Sequence, residues 1–350
     1  MPKIISVGKA LPPYKLTQQD IKDFVRTHFS NSRLPIDRLL EVFENAQINE
    51  RYFSVPIDWY REEHSFVEKN ERYILSCDRL GVAATNDALL PLGITPQEID
   101  YIIFVSSTGL ATPSIDARLI NLLRMRPNIR RTPIWGLGCA GGASGLSHAY
   151  HYLLAHPRQR VLIVAVELCG LTFQQNDFSK SNLVATALFG EGAAAVLMTG
   201  NEIELEGIEV LDTRSTFWPD SLDVMGWNMV NTGLQVVFSQ SIPQIVKSRA
   251  RANFEGFLGS HNLTLDDISY LILHPGGTNV IEAYENALAL GNGKLDLCWQ
   301  SLRDFGNMSA VSVLFVLAEH LKQFPLNSGK YGLISALGPG FCAENLLVRF

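Results

Sequence analysis

The chain has 350 residues, 47% hydrophobic and 18% charged, which is enough apolar material for a sizeable core and too much for a disordered polymer. Lys plus Arg number 29 against 35 Asp plus Glu, a formal charge of −6 with neutral His. That balance argues against a nucleic-acid backbone or an anionic membrane as the main partner, since both demand a surplus of basic residues.

The start, Met1-Pro-Lys-Ile-Ile-Ser-Val-Gly, lacks the charged, apolar and small-residue layout of a secretion signal. Its residues 3–8 read as a short strand. Thr17 then caps a helix over Gln18–Phe29, with Asp20 in the capping-box position. Asp37–Ala46 reads as a second helix, and Phe66 to about Leu90 as one long helix or two short ones, stopped by Pro91 and Gly93. These first ~75 residues read as a cap on the core and not as a separate domain.

From Thr95 onward the chain repeats itself. Thr95-Pro-Gln-Glu-Ile-Asp-Tyr-Ile-Ile-Phe, a helix start followed by an apolar strand, returns at 264 as Thr264-Leu-Asp-Asp-Ile-Ser-Tyr-Leu-Ile-Leu. The strand Val161-Leu-Ile-Val-Ala-Val has its counterpart in Tyr331-Gly-Leu-Ile-Ser-Ala, and the apolar helix after Gly138-Cys139 has one after Gly306-Asn307. Three landmarks at nearly one offset predict two copies of one α/β unit, residues 1–200 and 201–350, joined near Gly200. Strands written as continuous apolar runs are covered on both faces. The longest apolar run, Ala310 to Ala318, is broken by Ser312 and falls short of the ~20 residues that a membrane span requires. Five widely spaced cysteines without a CxxC pair fit a reducing cytoplasm, and neither a disulfide scaffold nor a zinc site.

In open α/β sheets, ligands bind beyond the carboxyl ends of strands, where helices begin. Cys139, His274 and Asn307 are placed by the pattern at corresponding strand-to-helix junctions around one pseudo-twofold axis. Cys139 follows an apolar strand that turns through Gly136 and Gly138 into a Gly/Ala-rich helix, where the positive helix end favours thiolate. Taken alone, it also fits a small core cysteine at a tight turn. His274 ends the strand Tyr270-Leu-Ile-Leu and precedes Pro275-Gly276-Gly277; Asn307 precedes a helix, where it also fits a simple N-cap. Together the three suit thioester chemistry: a sulfur that takes an acyl group, and two donors that hold an enolate oxygen in a dry pocket. Such a site could remove CO2 from a malonyl thioester without a metal or an electron-sink cofactor. His148, His151 and His156 lack a carboxylate or thiolate partner and read as solvated or packing residues, so no metal is expected. Gly190-Glu-Gly-Ala-Ala-Ala lacks the Lys-Ser/Thr end of a phosphate loop.

The Gly138-Cys139 elbow, His274-Pro-Gly-Gly, Gly306-Asn307-Met-Ser and Gly338-Pro-Gly-Phe, in that order over nearly the whole chain, resemble the type III polyketide synthases (chalcone synthase-like enzymes) of the thiolase superfamily. Val105-Ser-Ser-Thr-Gly-Leu-Ala-Thr-Pro-Ser, Glu167-Leu-Cys-Gly-Leu-Thr-Phe-Gln and Asp223-Val-Met-Gly-Trp are most similar to the bacterial alkylpyrone and alkylresorcinol branch. The resemblance implies a duplicated thiolase-like α/β fold layered α-β-α-β-α. Cys139 is then the acyl carrier, with His274 keeping it as thiolate and assisting decarboxylation together with Asn307. Phe189 matches the gatekeeper phenylalanine. Cys169, Thr172, Thr108 and Ser309 match cavity positions, and Thr112 matches the residue that reaches into the partner subunit of a homodimer. Gly338 and Pro339 match the loop that shapes the cyclisation cavity. The substrates implied are malonyl-CoA and a starter acyl-CoA, with no other cofactor.

There are two departures from the plant members. Their second gatekeeper phenylalanine is Val236 here, which leaves room for a medium- or long-chain fatty acyl starter. Their basic cluster for the coenzyme A phosphates is absent before Arg51-Tyr52, so Arg33, Arg38 and Lys247 are alternatives. The function expected is decarboxylative condensation to tri- or tetraketide pyrones or resorcinol-type rings. Competing expectations are a 3-ketoacyl carrier-protein synthase III or hydroxymethylglutaryl-CoA synthase on the same fold, a papain-like thiol hydrolase with the same Cys, His, Asn order, and a non-catalytic acyl-CoA-binding protein.

Overall fold

A computed structural model of the chain describes residues 1–29 and 40–350. In chain order its strands are β1 (Lys3–Ala10), β2 (Tyr14–Thr17), β3 (Glu50–Phe53), β4 (Tyr101–Val105), β5 (Arg130–Ile134), β6 (Arg160–Leu168) and β7 (Glu191–Thr199). They continue with β8 (Ile208–Phe217), β9 (Met225–Val230), β10 (Gly233–Phe238), β11 (Ile268–Leu273), β12 (Tyr331–Gly338) and β13 (Cys342–Arg349). Nine of these form one sheet, in the order β11-β12-β13-β8-β1-β7-β6-β4-β5.

The repeat seen in the sequence is legible in this order. Outward from the β1–β8 seam, one side runs β1, β7, β6, β4 and the other β8, β13, β12, β11. On both sides the pairings are antiparallel, antiparallel, then parallel. The seam itself is thin, with only Lys3 opposite Glu209 and Ile4 opposite Ile208. Thr95 and Thr264, the repeated helix starts, both close capping boxes, with Glu98 and Asp267 respectively. Each box opens a single 3-10 turn before its strand, β4 or β11, so the expected helix is shorter than its pattern suggests.

Two central helices carry the halves' shared core. Gly141–Ala155 packs on β4 and β6 on one side and on β12 and β13 on the other. Ser312–Gln323 likewise touches β1 and β7 as well as β11 and β12. The layers therefore alternate helix, sheet, helix, sheet, helix, as the sequence implied. The outer layer over β1, β7 and β6 is the helix Phe66–Leu89, a single element. Ser65 and Glu68 close its capping box, and Tyr73, Cys77, Leu80, Ala84 and Ala88 make its buried stripe. The first helix runs Gln18–His28 under the Thr17–Asp20 box. Of the predicted helix Asp37–Ala46, Glu41–Asn45 is helical, and residues 37–39 lie outside the described residues.

One expectation is corrected. Asn307 does not follow a strand: the preceding segment, Asp296–Phe305, is an amphipathic helix with Cys298, Ser301 and Leu302 buried. The second half thus places no strand beside β11 where the first half has β5. Asn307 instead forms an isolated parallel bridge with Phe189.

The close approach of the two central helices makes a test. A Cβ on Gly142 would lie 2.2 Å from the Ala310 carbonyl oxygen, and a backbone atom cannot swing away. Gly142→Ala should therefore lower stability in urea unfolding by about 1–3 kcal/mol, the usual cost of overpacking. A wild-type midpoint would show that the helices have slack.

Candidate active site

Cys139 occupies a 3-10 turn, Gly138–Ala140, between β5 and the helix Gly141–Ala155. The turn needs its glycine: Gly138 has φ +46°, and a Cβ there would sit 2.8 Å from Pro339 Cδ. Its N–H donates to Ser107 Oγ at 3.0 Å. Gly338 presses on the same turn from the opposite half, within 2.4 Å of the Leu137 oxygen if it carried a Cβ. Gly338 and Pro339 thus brace the elbow.

His274 directly follows β11, its N–H donating to the Ser335 oxygen at 2.9 Å. The ring is buried, and neither nitrogen has a hydrogen-bond partner. Asn307 is fixed at three points. Its Nδ2 donates to the Gly276 oxygen at 3.0 Å, its Oδ1 accepts from the Ser309 N–H at 2.8 Å, and its backbone bridges Leu188 and Gly190 at 2.8 and 2.9 Å. The amide is thereby oriented, and its second Nδ2 hydrogen is left to donate toward the Cys139 sulfur. Ser309 Oγ lies within hydrogen-bonding reach of both that sulfur and Glu167.

The electrostatics differ from the expected thiolate. Burial pushes the Cys139 thiol up to about 12, against the opposing donors Ser309 and Asn307 and with some repulsion from Glu167. Burial also holds His274 down to about 3. The helix end does not win, because a dry site penalises an isolated charge more than a dipole rewards it. Burial thus moves both the Cys139 thiol and the His274 imidazole toward their neutral forms.

Two cavities flank this seam. One, about 50 Å³ in volume, is apolar and lined by Phe24, Phe53, Tyr60, Phe173 and Val236 among others. Cys169, Thr172 and Phe189 also line it. The other, of about 370 Å³, is more polar: Asn45, Lys180, Ser181, Gln240 and Asn279 face it, together with Gly276 and Gly277. The helix Lys180–Leu188 is their common wall, with Ala185 and Thr186 on the apolar side and Ser181 and Val184 on the polar side. Cys139 itself lines neither cavity. Thr108 and Ser309 turn to Glu167 instead of the apolar cavity, and Thr112 is exposed on the loop before Ile115–Leu122. Arg33 and Arg38 lie outside the described residues. Lys247 is exposed on the helix Ile242–Gly259 and is not part of the polar cavity wall. Among the described residues no cluster of metal-ligating side chains occurs.

The residue that sequence reasoning passed over is Glu167. Its Oε2 accepts from the Ser107 N–H at 3.0 Å and from Thr108 Oγ1 at 2.8 Å, next to the thiol. The signal was present: a lone carboxylate ends the otherwise apolar β6. Burial pushes Glu167 up to about 7, against hydrogen bonds from Ser107, Thr108 and Ser309.

This raised value has a consequence for stability. The folded chain holds the Glu167 proton that the unfolded chain loses near pH 4.5, so this group's stabilisation is present at low pH and lost as pH rises toward 7. The Tm difference between Glu167→Gln and wild type should therefore move in the variant's favour from about pH 4.5 to 7 and then level. A difference independent of pH would mean that the carboxyl stays ionised throughout.

The chain matches the family model described as chalcone and stilbene synthases, N-terminal domain, over residues 1–202, and its C-terminal domain over residues 209–350. It is 43% identical to a putative chalcone synthase of Bacillus subtilis (strain 168), covering 98% of this chain and 97% of that one. The fold matches 1,3,6,8-tetrahydroxynaphthalene synthase from Streptomyces coelicolor A3(2), a bacterial type III polyketide synthase, with a TM-score of 0.92, 25% identity and 99% of each chain covered. It also matches CsyB complexed with CoA-SH, at a TM-score of 0.89, 26% identity and 100% of each chain.

Proposed function

This chain belongs to the chalcone and stilbene synthase family, the type III polyketide synthases, which are acyltransferases acting on coenzyme A thioesters; from that premise we propose that it condenses a fatty acyl starter with malonyl-CoA at Cys139. The observation that carries the site assignment is the Asn307 amide, held by Gly276 and Ser309 and donating toward the Cys139 thiol; the His274 imidazole, buried with both nitrogens unpaired, is read as its companion.

The proposed sequence is as follows. His274 takes the thiol proton, and the Cys139 sulfur attacks the starter thioester. Coenzyme A leaves as its thiol with that proton, and the acyl group stays on Cys139. Malonyl-CoA then loses CO2. The electron pair of the broken C–C bond passes to the thioester oxygen, where the His274 N–H and the Asn307 Nδ2 hydrogen hold the enolate. The enolate carbon attacks the acyl-Cys carbonyl, a C–C bond forms and the Cys139 thiolate departs. A neutral His274 suits this step, since it keeps an N–H donor without bringing a full charge into the chamber.

The cavities divide the substrate. The apolar one suits an alkyl chain, with Val236 where a bulkier residue would narrow it, and the polar one suits the amide-rich arm of coenzyme A. Lys180, at the rim of the polar cavity, is the cation placed for a phosphate. Ring closure to a pyrone or a resorcinol-type product follows two or three extensions. Residues 1–200 and 201–350 are read as the duplicated units. Trp135, Leu122 and Thr112, exposed near one another in sequence and around the β4–β5 edge, support a homodimer through this face. Among the described residues no helix is long and apolar enough to cross a membrane, which agrees with a cytoplasmic enzyme.

Two measurements test this reading. Labelled malonyl-CoA and lauroyl-CoA should yield an alkylpyrone by mass spectrometry, and Cys139→Ala should make none while still binding acyl-CoA; no pyrone from wild-type enzyme would remove the starter assignment. Lys180→Ala should raise the KM for malonyl-CoA several-fold with kcat little changed, the pattern of lost uniform binding. An unchanged KM would take Lys180 out of the coenzyme A site.

A further inference from the structure

Arg51, in β3, is fully buried, and among the described residues it has no carboxylate in ion-pair contact. A guanidinium in such surroundings is costly, and it is retained only where its donors are used. Here the two Nη groups are spent on one place, while Nε is left without a partner. Nη1 donates to the carbonyl oxygens of Thr186 at 2.6 Å and Phe189 at 2.8 Å, and Nη2 donates to Gln18 Oε1 at 2.6 Å. Gln18 in turn donates through Nε2 to the Ala187 oxygen at 3.0 Å. The last carbonyls of the helix Lys180–Leu188, which have no partner within the helix, are thus held from outside by a cation and its amide relay.

The stem of the same side chain reaches the other strand of the bridge. A Cβ on Gly306 would lie 2.7 Å from Arg51 Cδ, and one on Gly190 would lie 3.6 Å from Arg51 Cγ. Arg51 therefore grips Phe189 by its carbonyl and packs beneath Gly306, the residue before Asn307. It touches one partner of the Phe189–Asn307 backbone bridge directly and the residue before the other.

We propose that Arg51 is a positioning residue of the condensation reaction, locking the Phe189–Asn307 bridge so that the gate side chain and the enolate-holding amide keep one register. This rests on the functional reading above. Arg51 touches no reacting atom; it acts through Asn307 and Phe189, and a small displacement of that amide is enough to cost a large factor in rate.

The test is malonyl-CoA decarboxylation by the full-length enzyme, read as acetyl-CoA formed, with Tm and circular dichroism on each variant. Arg51→Met keeps the stem and removes the donors. It should lower kcat about tenfold or more, leave the KM for malonyl-CoA within about twofold, and leave the rate of Cys139 alkylation by iodoacetamide near wild type. Arg51→Lys, which keeps the charge and single-point donation, should recover part of the lost kcat. A folded Arg51→Met with wild-type kcat would overturn the proposal, as would a loss confined to KM or a loss that merely tracks the unfolded fraction. If Arg51→Met does not fold, Arg51→Lys decides: a several-fold fall in kcat at constant KM supports the lock, and a wild-type kcat overturns it. Wild-type enzyme that releases no acetyl-CoA would instead sink the functional reading, and this proposal with it.

Discussion

Two backbone hydrogen bonds hold the site together: Asn307 N–H to the Leu188 oxygen, and Gly190 N–H to the Asn307 oxygen. They join a helix end in the first half to the turn before a central helix in the second. Almost everything else at the seam refers to that bridge. The Asn307 amide is oriented from it, Ser309 follows it at φ +49°, and Phe189 is carried on it toward Trp227 and Phe238. The large sheet cannot do this work alone, because its own contact between the halves is two residue pairs wide.

Dryness is the second constraint. Cys139, His274, Glu167, Glu191 and Arg51 are all buried, and burial moves each toward its neutral form. The structure offsets that penalty with neutral hydrogen-bond partners in preference to counter-charges: Glu167 collects hydroxyl and N–H donors, Arg51 collects carbonyl acceptors, and Asn307 supplies the thiol with an amide. Under the proposed chemistry this is useful. A permanent ion pair would stabilise the resting enzyme, whereas neutral dipoles fixed in place reward a charge only when the reaction creates one.

The repeat was legible because apolar strands and Thr-led capping boxes are written locally, and both copies keep them. The His274 turn was legible for the same reason, since Pro-Gly-Gly directly after an apolar strand can only bend away. The strand expected before Asn307 failed, because Asp296–Phe305 carries a helical apolar stripe whose partner surface is not visible in one dimension. The upward push of burial on the Cys139 thiol was out of sight for a related reason. A helix start can be read from glycines and alanines, but the depth of water exclusion is a property of both halves once folded. Glu167 carried a signal, a carboxylate amid apolar neighbours, and Arg51 carried none; their partners lie 59 and 138 positions away in the chain, at Thr108 and Phe189.

The helix Lys180–Leu188 presents one face to an oily chamber and the other to a hydrophilic one. A divider of that kind uncouples two selections. Under the proposed division, changes on one side would alter which tails are tolerated, while the opposite side would continue to recognise the same nucleotide-bearing handle. A lineage could therefore diversify its repertoire of primers through a few substitutions on a single turn, without relearning how to grip the carrier common to all of them.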